Sequence, residues 1–335
     1  MLPEQTWPVL NQRAGNAHWP PENPREASSF IDAANRHGLL PLLFEQQSDL
    51  PEAVREALVS WRAMLRALQL RAAAQTQAIE KLSAVLSTIP FVLQKGSDYR
   101  FTLYPRPELR PMQDIDILLP TSLLEEAEEL LTAGGIRRQQ ARGITERLPD
   151  HYERTYVLDE KILLEVHHRF AQPIRCRIDY AAMFSRAVPL QAVNARRLGD
   201  ADSLIQHVFN MASDEFNSPL GRFVDLWLLL RARPSALEEA TALAREWQVQ
   251  RPLYGALSLA SRIFPDIRIP PDLLTKRERR FLDERILPDP RLPHPEAGRA
   301  RHLWQKFWLI DRAWRRAGFA AVHAIAVARG LLSRP

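Results

Sequence analysis

The spacing of apolar residues changes twice along the chain. Between residues 51 and 87, Val54, Leu58, Trp61, Leu65, Leu68 and Leu70 recur near every third or fourth position with Arg and Glu between them, which predicts a long amphipathic helix. A shorter helix is predicted before it, from Ser28 or Ser29 to a cap at Gly38. Past residue 87 the period becomes that of strands. Residues 89–93, 114–119, 152–158 and 162–168 read as strands, the last two joined by the turn Asp159-Glu160-Lys161. A helix, TSLLEEAEELLTAGG, follows the second of these; Ser122 and Glu125 have capping-box spacing and Gly134-Gly135 ends it. From about Asp202 helical spacing returns in SLIQHVFNMASDEF, GRFVDLWLLLRA and SALEEATALAREWQ, with Pro-rich loops around 265–271 and 288–295. The order strand, helix, strand, helix, strand, strand describes a small α/β unit. It is expected at 86–195, between a helical N-terminal region at 1–85 and a helical C-terminal region at 196–335.

The composition is that of a soluble globular chain: 335 residues, 46% hydrophobic and 25% charged. Lys and Arg total 45 against 40 Asp and Glu, a formal charge of +5. That excess favours anionic partners without singling out nucleic acid, and a nucleotide would satisfy it. The single cysteine, Cys176, excludes an intrachain disulfide and a thiolate metal cluster and suits a cytoplasmic protein. No apolar stretch approaches the roughly 18 to 20 residues of a membrane span. The nearest, GFAAVHAIAVARGLL, is short, Ala-rich and broken by His323 and Arg329, so a packed terminal helix is expected.

Candidate chemistry begins with Asp114-Ile115-Asp116 on a strand that otherwise reads as buried. Alternation puts both carboxylates on one face, about 6 to 7 Å apart, with Ile115 and Ile117 on the other. Two such charges repel and are costly to desolvate unless a cation compensates them, and Mg²⁺ takes carboxylate oxygens and substrate phosphates as ligands. The plainer reading has one aspartate cap the helix or pair with Arg110 and leaves the other in solvent. Lys95-Gly96-Ser97 follows a strand and opens a helix, where backbone N–H groups can approach a phosphate; alone it reads equally well as a turn with a surface lysine. In LLEVHHRF, Glu165 and His167 share one face, and Glu165 can supply a third carboxylate or pair with Arg169 or Arg175.

Taken together these features resemble the nucleotidyltransferase fold of the DNA polymerase β superfamily: a Gly-Ser turn leading into a helix, D-x-D on the next strand, and a third acid on a later strand. The closer similarity is to a family of uncharacterised bacterial nucleotidyltransferases. It rests on Lys95-Gly96, Tyr104-Pro105, Arg110-Pro111-Met112, Asp114-Ile115-Asp116, Glu165-Val166-His167, then His207 and Asp225, with ANRHGLLPLLFEQ resembling the family's opening helix. It covers about residues 28 to 230. Gln113 stands where the family usually has Gly before the first Asp, and Glu165 where the superfamily more often has Asp.

The resemblance implies an α+β fold, a polymerase β-like palm with a small mixed sheet between helical regions. It also implies in-line attack by an acceptor hydroxyl or amine on the α-phosphorus of an NTP, with pyrophosphate leaving. Asp114, Asp116 and Glu165 would be catalytic and would hold Mg²⁺ or Mn²⁺. Lys95, Gly96, Ser97 and Arg110 would bind the nucleotide, Arg110 either at a phosphate or orienting Asp114. His167, His207 and Asp225 are candidates for an acceptor or lid site; the plainer reading makes His207 a buried histidine and pairs Asp225 with Arg222 or Arg231. The acceptor is a small molecule, peptide or protein that the sequence does not name. A binding protein without turnover and an RNA-end-modifying enzyme stay open as alternatives. For the latter, WQKFWLIDRAWRR mixes Trp304, Trp308 and Trp314 with basic residues, against the plainer expectation of a helix that buries its aromatics and solvates its arginines.

Overall fold

A computed structural model of the chain describes residues 2–139, 153–159, 161–290 and 299–328. Among these residues a mixed sheet is formed by β1 (Val92–Leu93), β2 (Asp114–Leu118), β3 (Arg137–Arg138), β4 (Glu153–Leu158), β5 (Ile162–His167), β6 (Val188–Leu190) and β7 (Ala195–Arg197), in the order β3-β4-β5-β2-β1-β7-β6. The β2–β5 and β1–β7 pairs are parallel and the others antiparallel. The architecture is α+β.

Helices precede the sheet: α1 (Thr6–Arg13), α2 (Pro24–Arg36), α3 (Leu40–Glu45), α4 (Glu52–Leu58) and α5 (Arg62–Val85). Helices α6 (Gly96–Thr102), α7 (Leu124–Ala133) and α8 (Tyr180–Ser185) lie between strands. The chain ends in α9 (Asp200–Ser213), α10 (Leu220–Ala232), α11 (Ala236–Trp247), α12 (Gln250–Ser261), α13 (Lys276–Arg285), α14 (Arg299–Trp308) and α15 (Ala313–Ala328). No helix among the described residues is long and apolar enough to cross a membrane.

Alternation along the strands separates two cores. Ile115, Ile117, Leu164, Val166, Tyr156 and Leu158 face one way and pack with Ile79, Leu82 and Leu86 at the end of α5 and Leu124, Ala127 and Leu131 of α7. On the other face Leu118 joins a second core, in which Phe30 and Leu40 of the N-terminal helices meet Val208, Phe223 and Leu253 of the C-terminal ones. Asp114 and Asp116 lie on this second face, so the carboxylates look toward the helices that close over the sheet. Cys176 is buried in that core, and burial pushes its thiol up to about 12, which keeps it protonated.

Several local expectations are corrected. Helix α2 begins at Pro24, because the Asn23 side chain accepts from the Glu26 N–H and Pro24 suits the first turn. The long run from 51 splits into α4 and α5 around a tight turn at Val59–Trp61. The Ser122/Glu125 capping box does not form: Thr121–Leu123 is a 3₁₀ turn and α7 starts at Leu124 without a side-chain cap. Strands β3, β6 and β7 were not anticipated, being two or three residues long and held by their neighbours rather than by local pattern. Tyr152, Glu160 of the turn, 291–295 of the second Pro-rich loop and the end of the expected terminal helix from Arg329 lie outside the described residues. The aromatic and basic segment is two helices rather than one: Trp304 and Trp314 are 50% and 62% exposed, whereas Arg315 is buried and donates to Gln248 Oε1 (2.8 Å) and to the Pro173 carbonyl (2.5 Å).

Candidate active site

The register of the parallel β2–β5 pair builds the site. Asp116 lies directly beside Glu165, and His167 follows two residues later on the same face. Oxygens of Asp116 and Glu165 and a ring nitrogen of His167 all lie within 4.8 Å of one another. His167 Nε2 is 3.0 Å from Asp116 Oδ1 and 3.4 Å from Glu165 Oε2, and its Nδ1 is 3.5 Å from Glu153 Oε2. His167 thus stands among the carboxylates.

The compensating cation in this arrangement is Lys95. Its Nζ sits 2.5 Å from Asp116 Oδ1 and 3.3 Å from His167 Nε2. Lys95 ends the segment after β1 with φ +52°, a strained value for a residue with a side chain, and so aims its ammonium across the sheet. Burial alone would lower the Lys95 pKa, but Asp116, Glu165 and Asp114 raise it above its ordinary value. Burial would likewise raise Asp116, yet Lys95 and His167 hold it well below the usual carboxylate range. Asp114 lacks such a partner: burial, then Asp116 and Glu165, push it up to about 6. His167 is lowered by burial and by Lys95, but its bonds to Asp116 and Glu165 carry it above its ordinary value.

Supporting contacts reach β2 from both sides. Arg71 and Gln75 of α5 donate to the carbonyls of Gln113 (2.6 Å) and Met112 (3.1 Å), fixing the approach to Asp114. Gln94 donates to the Ile117 carbonyl (3.2 Å) and accepts from Gln206 of α9 (2.6 Å), tying the helical layer to the strand. Ser97 is fully buried and its hydroxyl accepts from the Asp116 N–H at 2.9 Å. Its expected phosphate contact is therefore corrected to a role in holding the strand. Gly96, by contrast, lines the cleft.

Arg110 and Asp225 also differ from expectation, while His207 follows its plainer reading as a buried histidine. Arg110 grips Asp225 of α10 through Nε (2.9 and 3.0 Å) and Nη2 (2.7 Å), and Tyr104 donates to the same carboxylate at 2.7 Å. Asp225 is fully buried, so it forms no lid, and it bonds neither Arg222 nor Arg231. The Arg110 guanidinium is committed to this ion pair rather than to a phosphate or to Asp114. His207 is 2% exposed; burial lowers it to about 4, so it is neutral and its Nε2–H donates to the Arg222 carbonyl at 2.8 Å. Neither residue opens on an acceptor site. Asp225→Asn is expected to cost about 3 to 5 kcal/mol, the penalty for stranding a buried guanidinium. Urea unfolding checks this, and a loss below about 1 kcal/mol would contradict the structural assignment.

Two chambers meet at the carboxylates. One of about 320 Å³ is bounded by Glu153, Glu165, His167, Gln206 and Asn210. The other, about 540 Å³, is bounded by Arg36, His37, Arg71, Gly96 and Gln113. Lys95, Asp114, Asp116, Asn210 and Arg222 belong to both. The exposed Gln113 side chain stands at the rim of the larger chamber. Glu153, Gln206 and Asn210 were not singled out from sequence, though a signal existed: Gln206, Asn210 and Ser213 recur at helical spacing as polar positions along the C-terminal half of α9.

Comparison with curated proteins gave no match. Among solved structures, that of the antibiotic-resistance factor ANT(2'')-Ia aligns with a TM-score of 0.37 and 16% identity, over 52% of this chain and 93% of that one. This likeness is too low to carry an argument. A family model described as uncharacterised nucleotidyltransferase matches residues 23–265. That span takes in the sheet, the three carboxylates and both chambers, and the chain, a transferase, belongs to this family of uncharacterised nucleotidyltransferases.

Proposed function

We propose that the protein transfers a nucleoside monophosphate from an NTP to an acceptor, with Mg²⁺ or Mn²⁺ as cofactor and release of pyrophosphate. The observation that carries the reading is the meeting of Asp114, Asp116 and Lys95, which border both chambers, with Glu165 on the adjoining wall of the smaller one. The donor set fits a hard divalent ion: oxygens of Asp116 and Glu165 converge with a ring nitrogen of His167, and Asp114 next to them is lifted to about 6 by burial and then by the neighbouring carboxylates. Asp114, Asp116 and Glu165 would hold the ion, with His167 as a further ligand. Bound there, it would neutralise triphosphate oxygens and lower the barrier to in-line displacement.

The chain's own groups supply the rest. Lys95, released from Asp116, reaches into the larger chamber to meet a phosphate, and the Gly96 backbone leaves room for one. Glu165 takes the acceptor's proton as its oxygen or nitrogen forms a bond to the α-phosphorus. The bond from that phosphorus to the bridging oxygen breaks, and its electron pair leaves with pyrophosphate. Ser97 and the Gln94–Gln206 bridge keep β2 in place through this exchange.

The test uses a cell extract as the source of acceptor, with NTPs labelled at the α- or γ-phosphate. Label from the α position is expected on the acceptor, label from the γ position in pyrophosphate, and neither after chelation of divalent metal. Transfer of the γ label to an acceptor would replace this reading with a kinase. Glu165→Gln is expected to lower kcat about 10²- to 10⁴-fold while the Kd for Mg-NTP changes far less, since a proton acceptor acts mainly in the transition state.

A further inference from the structure

We infer that the acceptor is cationic and that Glu153 in the smaller chamber recognises its positive group. This inference rests on the nucleotidyl-transfer reading of the site. The two chambers share Lys95, Asp114 and Asp116, so the difference between them lies in what each adds. The larger adds Arg71, whose guanidinium donates to a backbone carbonyl, and His37, with Arg36 also on its wall but paired with Asp32. The smaller adds Glu153 and Glu165. Arg222 borders both, but it is paired with Asp214 on the wall of the smaller one. Size points the same way, because a nucleotide needs the roomier space and about 320 Å³ suits a smaller molecule. Phosphates therefore belong on the Arg71 side, and the acceptor approaches from the Glu153 side.

Beyond Asp114, Asp116 and Glu165, this wall carries Asp214, which is paired with Arg222, and Glu153, whose nearest ionisable neighbour is His167 at 3.5 Å. Glu153 opens β4 opposite His167 in the antiparallel register, 30% exposed toward the cavity. A second, independent group on the same wall also asks for a donor. Gln206 is 1% exposed, lines the smaller chamber, and its Oε1 has no hydrogen-bond partner among the described residues. A carboxylate and an unused amide oxygen together select an ammonium or guanidinium group, which brings N–H donors and charge. The protein's net charge of +5 works against general capture of cations, so such selection would have to be local. In the transfer, the acceptor's nucleophile attacks the α-phosphorus, its proton passes to Glu165 and pyrophosphate leaves, while the cationic group stays protonated at Glu153.

The test is calorimetry in magnesium-saturated buffer with three probes of similar length: spermidine as cation, triethylene glycol as neutral molecule and glutarate as anion. Spermidine is expected to bind at least about tenfold more tightly than either other probe. Glu153→Gln should weaken spermidine about tenfold, and Glu153→Lys should remove the preference for it. Equal binding of all three probes, or an unchanged spermidine Kd in both variants, would overturn the inference. Glu153 is partly exposed at a strand end, so neither change threatens folding. A separate titration with Mg-NTP keeps the two readings apart: failure of the wild-type protein to bind it sinks nucleotidyl transfer, whereas Mg-NTP binding without probe selectivity sinks only the cationic acceptor.

Discussion

Asp116→Asn is expected to abolish nucleotidyl transfer and also to destabilise the metal-free protein by about 3 kcal/mol. The loss of transfer follows from removing a carboxylate at the centre of the proposed metal-binding set, and should be on the order of 10³-fold or more. The loss of stability is the less obvious part. Two like charges on one strand face suggest that neutralising either would relieve repulsion. Yet Asp116 is the member of the pair that has partners, with Lys95 at 2.5 Å and His167 at 3.0 Å and its side chain only 8% exposed. Its carboxyl is held below the usual range, so this contribution is present above the unfolded carboxyl value near pH 4. It is then lost as the pH falls from there through the folded value. Urea unfolding of both proteins with chelator, at neutral pH and below pH 4, should show a gap that narrows in acid. A metal-free variant as stable as wild type at neutral pH would remove the ion pair from this account, and retained transfer would remove Asp116 from the chemistry.

Lys95→Ala should produce opposite changes in two affinities. Without nucleotide, the variant is expected to bind Mg²⁺ about tenfold more tightly, because an ammonium touching Asp116 opposes a second cation at the same oxygens. With nucleotide, Mg-NTP binding should weaken by about 1.5 to 3 kcal/mol, the worth of a charge-assisted bond to phosphate. The metal-free variant should also melt lower, since Asp116 keeps only His167, and Mg²⁺ should restore much of the difference. Calorimetric titration of Mg²⁺ and Mg-NTP into both proteins decides the matter. Weaker Mg²⁺ binding by the variant would show that lysine and metal do not compete for these carboxylates. Unchanged Mg-NTP affinity would confine Lys95 to compensating Asp116.

The strand carrying Asp114 and Asp116, the later strand with Glu165 and His167, and the helical regions on either side were legible because each rests on local periodicity. A period of two places Asp114 and Asp116 on one face whatever surrounds them, and the nearness of β4 and β5 in sequence favours their antiparallel pairing. The family's motifs added that these strands belong to one site. What local pattern could not supply was partner choice. Lys95 and Asp116 are 21 residues apart and Arg110 and Asp225 are 115 apart, so which cation meets which carboxylate depends on how β1, β2 and α10 pack. Ser97 looked like a phosphate donor because it opens a helix, but the direction of β2 turns its hydroxyl to the Asp116 N–H. His207 and Asp225 were candidates through the family resemblance, and burial spent both on structure. The division into a basic and an acidic chamber belongs to tertiary structure alone: Arg71, Glu153 and Gln206 lie on three separate elements, and only their packing around one pair of strands brings them to opposite sides of the same carboxylates.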